Sequence, residues 1–329
     1  MSTRRLKFIL HWWRFTVEKR QTAGFTLIEL LVSTLISGIA VSGLMSIVVP
    51  LMQINQRESA QAETQRDLQK TLKFMNSELR EAVYVYGGDC LQGQTNPTFC
   101  PGITNYISVP ANSVPVLAFW KLEPLPTPLQ DECNRGTADS TVPCNSGRTY
   151  SLVVYFLIKN QPTDPTNGQG KARIARYAMT QYDSNGIAST NYVNPTQSGV
   201  SFGIWPYQSN GGTLKPLLQP HQLAGNAVTL VNFVDDTART VDNNVTCPTT
   251  TFSTTQYVLT PSSTTLSRSS YPNGTFNDVR SFYACVRGTG FNQDVLVFLR
   301  GNAYGKAGIS DDSFLPMLQT QVLKSGNYE

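Results

Sequence analysis

An unbroken apolar run from Phe25 to Met52, FTLIELLVSTLISGIAVSGLMSIVVPLM, constrains this chain more than any other feature. Its only ionisable residue is Glu29. As a helix it would extend about 40 Å at 1.5 Å per residue, enough to cross a bilayer. Residues 1–24 carry Arg4, Arg5, Lys7, Arg14, Lys19 and Arg20 against the single acid Glu18. Basic residues before an apolar helix keep that end in the cytoplasm. The bulk of the chain is therefore expected on the far side. A cleaved secretory signal has a similar layout, but its apolar region spans only about 7–15 residues. The longer run, with no small-x-small site after it, predicts a retained anchor.

Charge elsewhere is nearly balanced, with 20 Lys+Arg against 21 Asp+Glu beyond residue 24. No broad basic surface for nucleic acid is indicated. Only 15% of the chain is charged, below the roughly 25% of average soluble proteins. Cys90, Cys100, Cys133, Cys144, Cys247 and Cys285 all lie beyond the anchor. An even count in an exported domain reads as three disulfides, although six cysteines allow about 15 pairings. Proximity along the chain selects Cys90 with Cys100, Cys133 with Cys144, and Cys247 with Cys285. No Cys-x-x-Cys occurs and His221 is the only histidine after the leader, so no zinc site is expected.

Four segments follow from this pattern: a basic leader (1–24), an apolar helix (25–52), an amphipathic helix (53–86) and a β-rich exported domain (87–329). In the third, Leu68, Leu72, Met75, Leu79 and Val83 recur at helical spacing and form a packing stripe. Pro50 predicts a kink, and Gly87-Gly88 a helix end. Residues 87–148 read as a long irregular connection, with one apolar stretch at Val114–Leu122. Strands are expected at Tyr150–Lys159, Ala172–Gln181, Ala227–Asp235, Val279–Arg287 and Asp294–Asn302. Residues 182–226 read as loops, and the tail from Gly305 is left open. The helix stripe on an antiparallel sheet gives an α+β fold.

The junction Gly24-Phe25-Thr26-Leu27-Ile28-Glu29-Leu30-Leu31 closely resembles the type IV prepilin and pseudopilin family. There a basic leader ends in glycine, a hydrophobic residue follows, and a glutamate lies four positions later in the apolar helix. The resemblance implies that a prepilin peptidase cuts after Gly24 and methylates the new amine of Phe25. It implies a single-pass protein of the inner membrane with an exported C-terminal domain, drawn into a pilus or pseudopilus. Its partners would be the peptidase, other pilins and the inner-membrane assembly platform. The size and the loop-rich exported domain resemble a minor pilin or pseudopilin. Leu296–Ala303, LVFLRGNA, resembles a late strand of cyanobacterial pseudopilins for polysaccharide secretion.

Physical chemistry gives Glu29 a role beside that resemblance. A carboxylate inside a bilayer costs a few kcal/mol or more and marks a functional position. After cleavage the Phe25 amine, its own or a neighbour's, is the expected partner. The bland alternative places the carboxylate at the headgroup boundary. Gly38, Ser42 and Ser46 form a small-residue row that permits close helix approach.

Other classes of function have weaker support. Gly199-Val200-Ser201-Phe202-Gly203 fits the hydrolase pattern G-x-S-x-G, but the surrounding residues do not predict the required strand and helix, and His221 precedes the acids. No cofactor is expected. Asp164, Asn167, Asp235, Asp236, Asp311 and Asp312 are candidate oxygen ligands for structural Ca²⁺, without EF-hand spacing. A membrane-anchored or pilus-borne adhesin is the alternative reading, in which Trp120, Trp205 and Tyr207 would bind glycans if exposed and serve packing if buried.

Overall fold

From Gln53 to Arg80 the sequence has neither glycine nor proline, and the chain there is helical throughout. In the computed structural model the described residues are 24–91, 102–161, 169–219, 223, 227–236, 246–249, 255–262, 281–288 and 292–324. They fall into two units, one ending at Asn55 and the other starting at Gln56. Helix α1, Leu27–Arg80, contributes to both and runs through Pro50 without a break.

In the first unit every described residue is exposed. Hydroxyl groups there bond to the helix's own carbonyls: Ser33 to Leu30 (2.9 Å), Thr34 to Leu31 (2.9 Å), Ser37 to Ser33 (2.7 Å) and Ser46 to Gly43 (2.7 Å). An apolar surrounding offers no other acceptor, so these polar groups need partners within the helix.

In the second unit α1 buries Ala60, Thr64, Leu68, Thr71, Leu72, Met75, Glu78 and Leu79. The stripe stops short of Val83. The helix ends at Arg80 rather than Tyr86, and Ala82–Val85 forms strand β1. The sequence AVYV supplies β-branched and aromatic side chains, and pairing with the strand Ser113–Pro124 outweighs helical periodicity there. Gly87 is extended (φ −71°), not a left-handed cap. The glycine at 88 instead allows close approach: a Cβ there would lie 2.3 Å from the Leu259 carbonyl oxygen.

The main sheet has the order β1-β2-β3-β4-β7, all antiparallel, with β2 Ser113–Pro124, β3 Arg148–Lys159, β4 Ala172–Met179 and β7 Val228–Val234. Strand β2 corrects the expectation of an irregular connection. It has no alternation because both its faces are buried. Leu68, Met75, Phe119, Tyr155, Phe282 and Val297 share the core on one face. On the other, Trp120, Phe156 and Tyr177 pack with Tyr86, Ile103 and Trp205 from the connecting segments. Pro115 is tolerated in this interior strand because the register shifts between Pro115 and Leu117. The Val116 carbonyl left at that bulge accepts the Thr260 hydroxyl at 2.6 Å.

The late strands do not extend that sheet, contrary to the single sheet expected. β8 Val258–Thr260, β9 Phe282–Arg287, β10 Gln293–Leu299 and β11 Leu318–Lys324 form a second sheet in the order β11-β10-β9-β8. The expected strand start at Val279 lies outside the described residues. A hairpin, β5 Tyr207–Asn210 and β6 Thr213–Pro216, interrupts the predicted loop region. Its turn, Gly211-Gly212, has positive φ at both residues, as a tight hairpin turn requires. A short helix α2, Thr127–Arg135, ends at Gly136 (φ 67°).

Candidate processing and assembly site

Gly24, Phe25 and Thr26 precede α1 and are non-helical. Phe25 is 76% exposed. The Thr26 carbonyl accepts the amides of Glu29 (3.0 Å) and Leu30 (3.2 Å), and its hydroxyl oxygen accepts Glu29 N–H at 3.4 Å. Thr26 is therefore the N-cap, and Glu29 falls in the first turn, where the helix dipole favours a carboxylate. The processing motif itself singles out Gly24, Phe25 and Glu29 rather than Thr26. The signal was present, because Thr-x-x-Glu before an apolar run is the capping-box pattern.

Gly38, Ser42 and Ser46 lie on α1 and are exposed. A Cβ built on Gly38 would meet nothing within 4 Å. Around this row stand large exposed apolar side chains, including Leu35, Ile39, Leu44 and Ile47. Alone in water such a surface is unfavourable at roughly 25 cal/mol per Å². Such a surface suits an apolar surrounding such as a bilayer. By length and composition α1 can cross a membrane.

Residues 19–45 match the family described as the prokaryotic N-terminal methylation motif. By its N-terminus, the protein is type IV prepilin-like. No curated protein and no solved structure matches the chain. The family match thus covers the junction and the first part of α1.

In the second unit of this prepilin-like chain, Cys133 is bonded to Cys144 and Cys247 to Cys285. Cys90 is also disulfide-bonded, and its expected partner Cys100 lies outside the described residues. The first of these bonds joins α2 to the segment after it, and the second reaches β9.

Glu78 gives no sequence signal of its own. Buried on α1, it receives Arg176 of β4 through two bonds (2.9 and 2.7 Å), Lys121 of β2 (2.8 Å) and the Tyr155 hydroxyl of β3. Lys121 also contacts Glu123 at 2.8 Å. Burial alone would raise the Glu78 pKa, but the donors from Arg176, Lys121 and Tyr155 outweigh it and hold the carboxyl below its usual range. Burial would lower Lys121, yet its bonds to Glu123 and Glu78 raise it above the usual lysine value. The cluster pins the last turn of α1 to three strands.

Other candidates resolve differently. Trp120 and Trp205 are fully buried. The Trp120 indole donates to the Tyr86 hydroxyl at 2.9 Å, and the Trp205 indole to the Val193 carbonyl at 2.9 Å. Tyr207 is half-buried against this cluster. These aromatics form a core. The segment Gly199–Gly203 lies in turns, with neither strand before it nor helix after it, and His221 is outside the described residues. Asp235 pairs with Arg300, Asp236 with Lys159 at 3.4 Å, and Asp312 with Lys171 and with Asn302 at 2.9 Å. Asp164 and Asn167 also lie outside the described residues.

Proposed function

We propose that this chain is a minor pilin or pseudopilin subunit. Prepilin peptidase removes residues 1–24 and methylates Phe25. The product waits in the inner membrane with its head outside, then joins a filament through α1. The observation that carries this reading is the methylation motif at residues 19–45, which overlaps the start of a helix whose apolar surface is uncovered through Asn55. That surface suits two successive environments, lipid before assembly and neighbouring helices afterwards.

Glu29 is the one carboxylate in the apolar stretch and lies one turn from the new amine. In a dry helical bundle, an unpaired carboxylate or ammonium is strongly disfavoured. Pairing Glu29 with a neighbour's Phe25 amine would therefore fix axial register as subunits add. Gly38, Ser42 and Ser46 would let helices approach closely beside that pair.

Within Leu296–Ala303, two polar residues serve the fold. Arg300 pairs with Asp235, and the Asn302 side chain accepts the amides of Tyr304 and Ser313, both at 3.0 Å. The test is incorporation: membrane and sheared-filament fractions are compared for wild type and Glu29→Val. The variant should remain in the membrane at wild-type level and be lost from filaments. Wild-type amounts of the variant in filaments would defeat the register mechanism.

A further inference from the structure

Thr26 sets where α1 begins, and that start coincides with the processing junction. Its carbonyl accepts the amides of Glu29 and Leu30, and its hydroxyl oxygen accepts the Glu29 amide. Gly24 and Phe25 stand outside the helix, and a Cβ built on Gly24 would meet nothing within 4 Å. Inside a helix, main-chain N–H and C=O groups are already bonded and wrapped by side chains. A peptidase needs them free, since its own donors must reach the carbonyl where negative charge develops.

We infer that Thr26 is a positioning residue for leader removal, its cap holding the helix start at Leu27 so that the Gly24–Phe25 peptide is presented in a non-helical form. The inference rests on the processing proposed above. In that hydrolysis the C–N bond between Gly24 and Phe25 breaks. Water supplies the oxygen of the new Gly24 carboxylate, and the Phe25 nitrogen leaves as an amine that takes up a proton. Thr26 touches no reacting atom; it acts through the backbone of the bond two residues before Leu27.

A cap is defined by its acceptor, and this separates it from simple recognition of side-chain shape. Serine and asparagine cap as well as threonine or better, whereas valine has threonine's shape and no acceptor. Losing an N-cap shifts the helix-start equilibrium by about five-fold.

The test uses full-length protein in detergent with purified prepilin peptidase. Leader release is timed for wild type, Thr26→Val, Thr26→Ala, Thr26→Ser and Thr26→Asn, and hydrogen exchange is followed in parallel at the Ile28 amide, which a helix begun at Phe25 would bond to the Gly24 carbonyl. Val and Ala should be cut about five-fold more slowly, with Ile28 exchange slower by a similar factor. Ser and Asn should match wild type in both. Val cut at the wild-type rate would overturn the inference. So would Asn cut as slowly as Val while its Ile28 amide exchanges as in wild type, because side-chain recognition would then explain the effect. A wild-type chain that the peptidase leaves uncut would remove the processing reading itself, and this role with it.

Discussion

The side-chain amide of Gln293 bonds both backbone groups of Val85: it donates to the carbonyl and accepts from the N–H, each at 2.7 Å. Val85 belongs to β1, an edge of the five-stranded sheet, and Gln293 opens β10 of the other sheet. One amide thus imitates a strand residue and ties the two sheets at a buried point. Gln293→Leu would leave two buried main-chain groups without partners. Each costs about 1–3 kcal/mol. Thermal unfolding of the purified protein should show a clear loss of stability, and Gln293→Leu at wild-type Tm would contradict this reading.

The Glu78 cluster predicts how stability depends on pH. Because the folded Glu78 pKa is depressed, its contribution is present above the unfolded value near 4.5 and is lost as pH falls through the folded value. The raised Lys121 works in the opposite direction: its contribution is present below 10.5 and is lost as pH rises through the folded value. Glu78→Gln would leave Arg176 beside a neutral group and Lys121 without one of its carboxylate partners, at a cost of about 3–5 kcal/mol. Denaturation curves across pH should show the variant weaker near neutrality and with a smaller acid-induced decline than wild type. Identical pH profiles would show that the cluster contributes nothing.

Much of this architecture was legible in the chain. Leu68, Leu72, Met75 and Leu79 gave the packing face of α1, and β3 and β4 were evident as apolar and aromatic stretches on either side of the turn-rich PTDPTNGQG. Strand β2 was hidden because burial on both faces removes alternation, and because Pro115 argues against a central strand until the bulge is known. Strand β11, LQTQVLK, mixes polar and apolar residues at a sheet edge and gives little signal. Glu78 looked like any other helix charge, since its partners come from three strands far along the sequence. Thr26 was the opposite case: its capping pattern was readable, but the motif drew attention to Gly24, Phe25 and Glu29.

The buried tryptophans separate core from ligand surface. Trp205→Ala removes a fully buried side chain and its bond to Val193, and should cost about 3–5 kcal/mol. Wild-type tryptophan emission from the head should be blue-shifted and resist aqueous quenchers. Ready quenching of Trp120 and Trp205 would reopen a binding role for them.

The disulfides should differ in resistance to reduction. Cys285 is fully buried, whereas Cys144 is exposed. A mild reductant should therefore open Cys133–Cys144 before Cys247–Cys285, as partial alkylation and peptide mapping would show. Loop-closure entropy assigns about 4 kcal/mol to the 38-residue separation and about 3 kcal/mol to the 11-residue one. The Cys247→Ser/Cys285→Ser double variant should accordingly lose more stability than its Cys133→Ser/Cys144→Ser counterpart.

The most direct measurement is the N-terminus of the protein recovered from membranes of cells that express prepilin peptidase. Mass spectrometry of the terminal peptide should find a chain that begins at Phe25 with a methylated amine and retains Glu29 and the whole apolar helix. A chain that begins beyond Met52 would mark an ordinary secretory signal and contradict the pilin account.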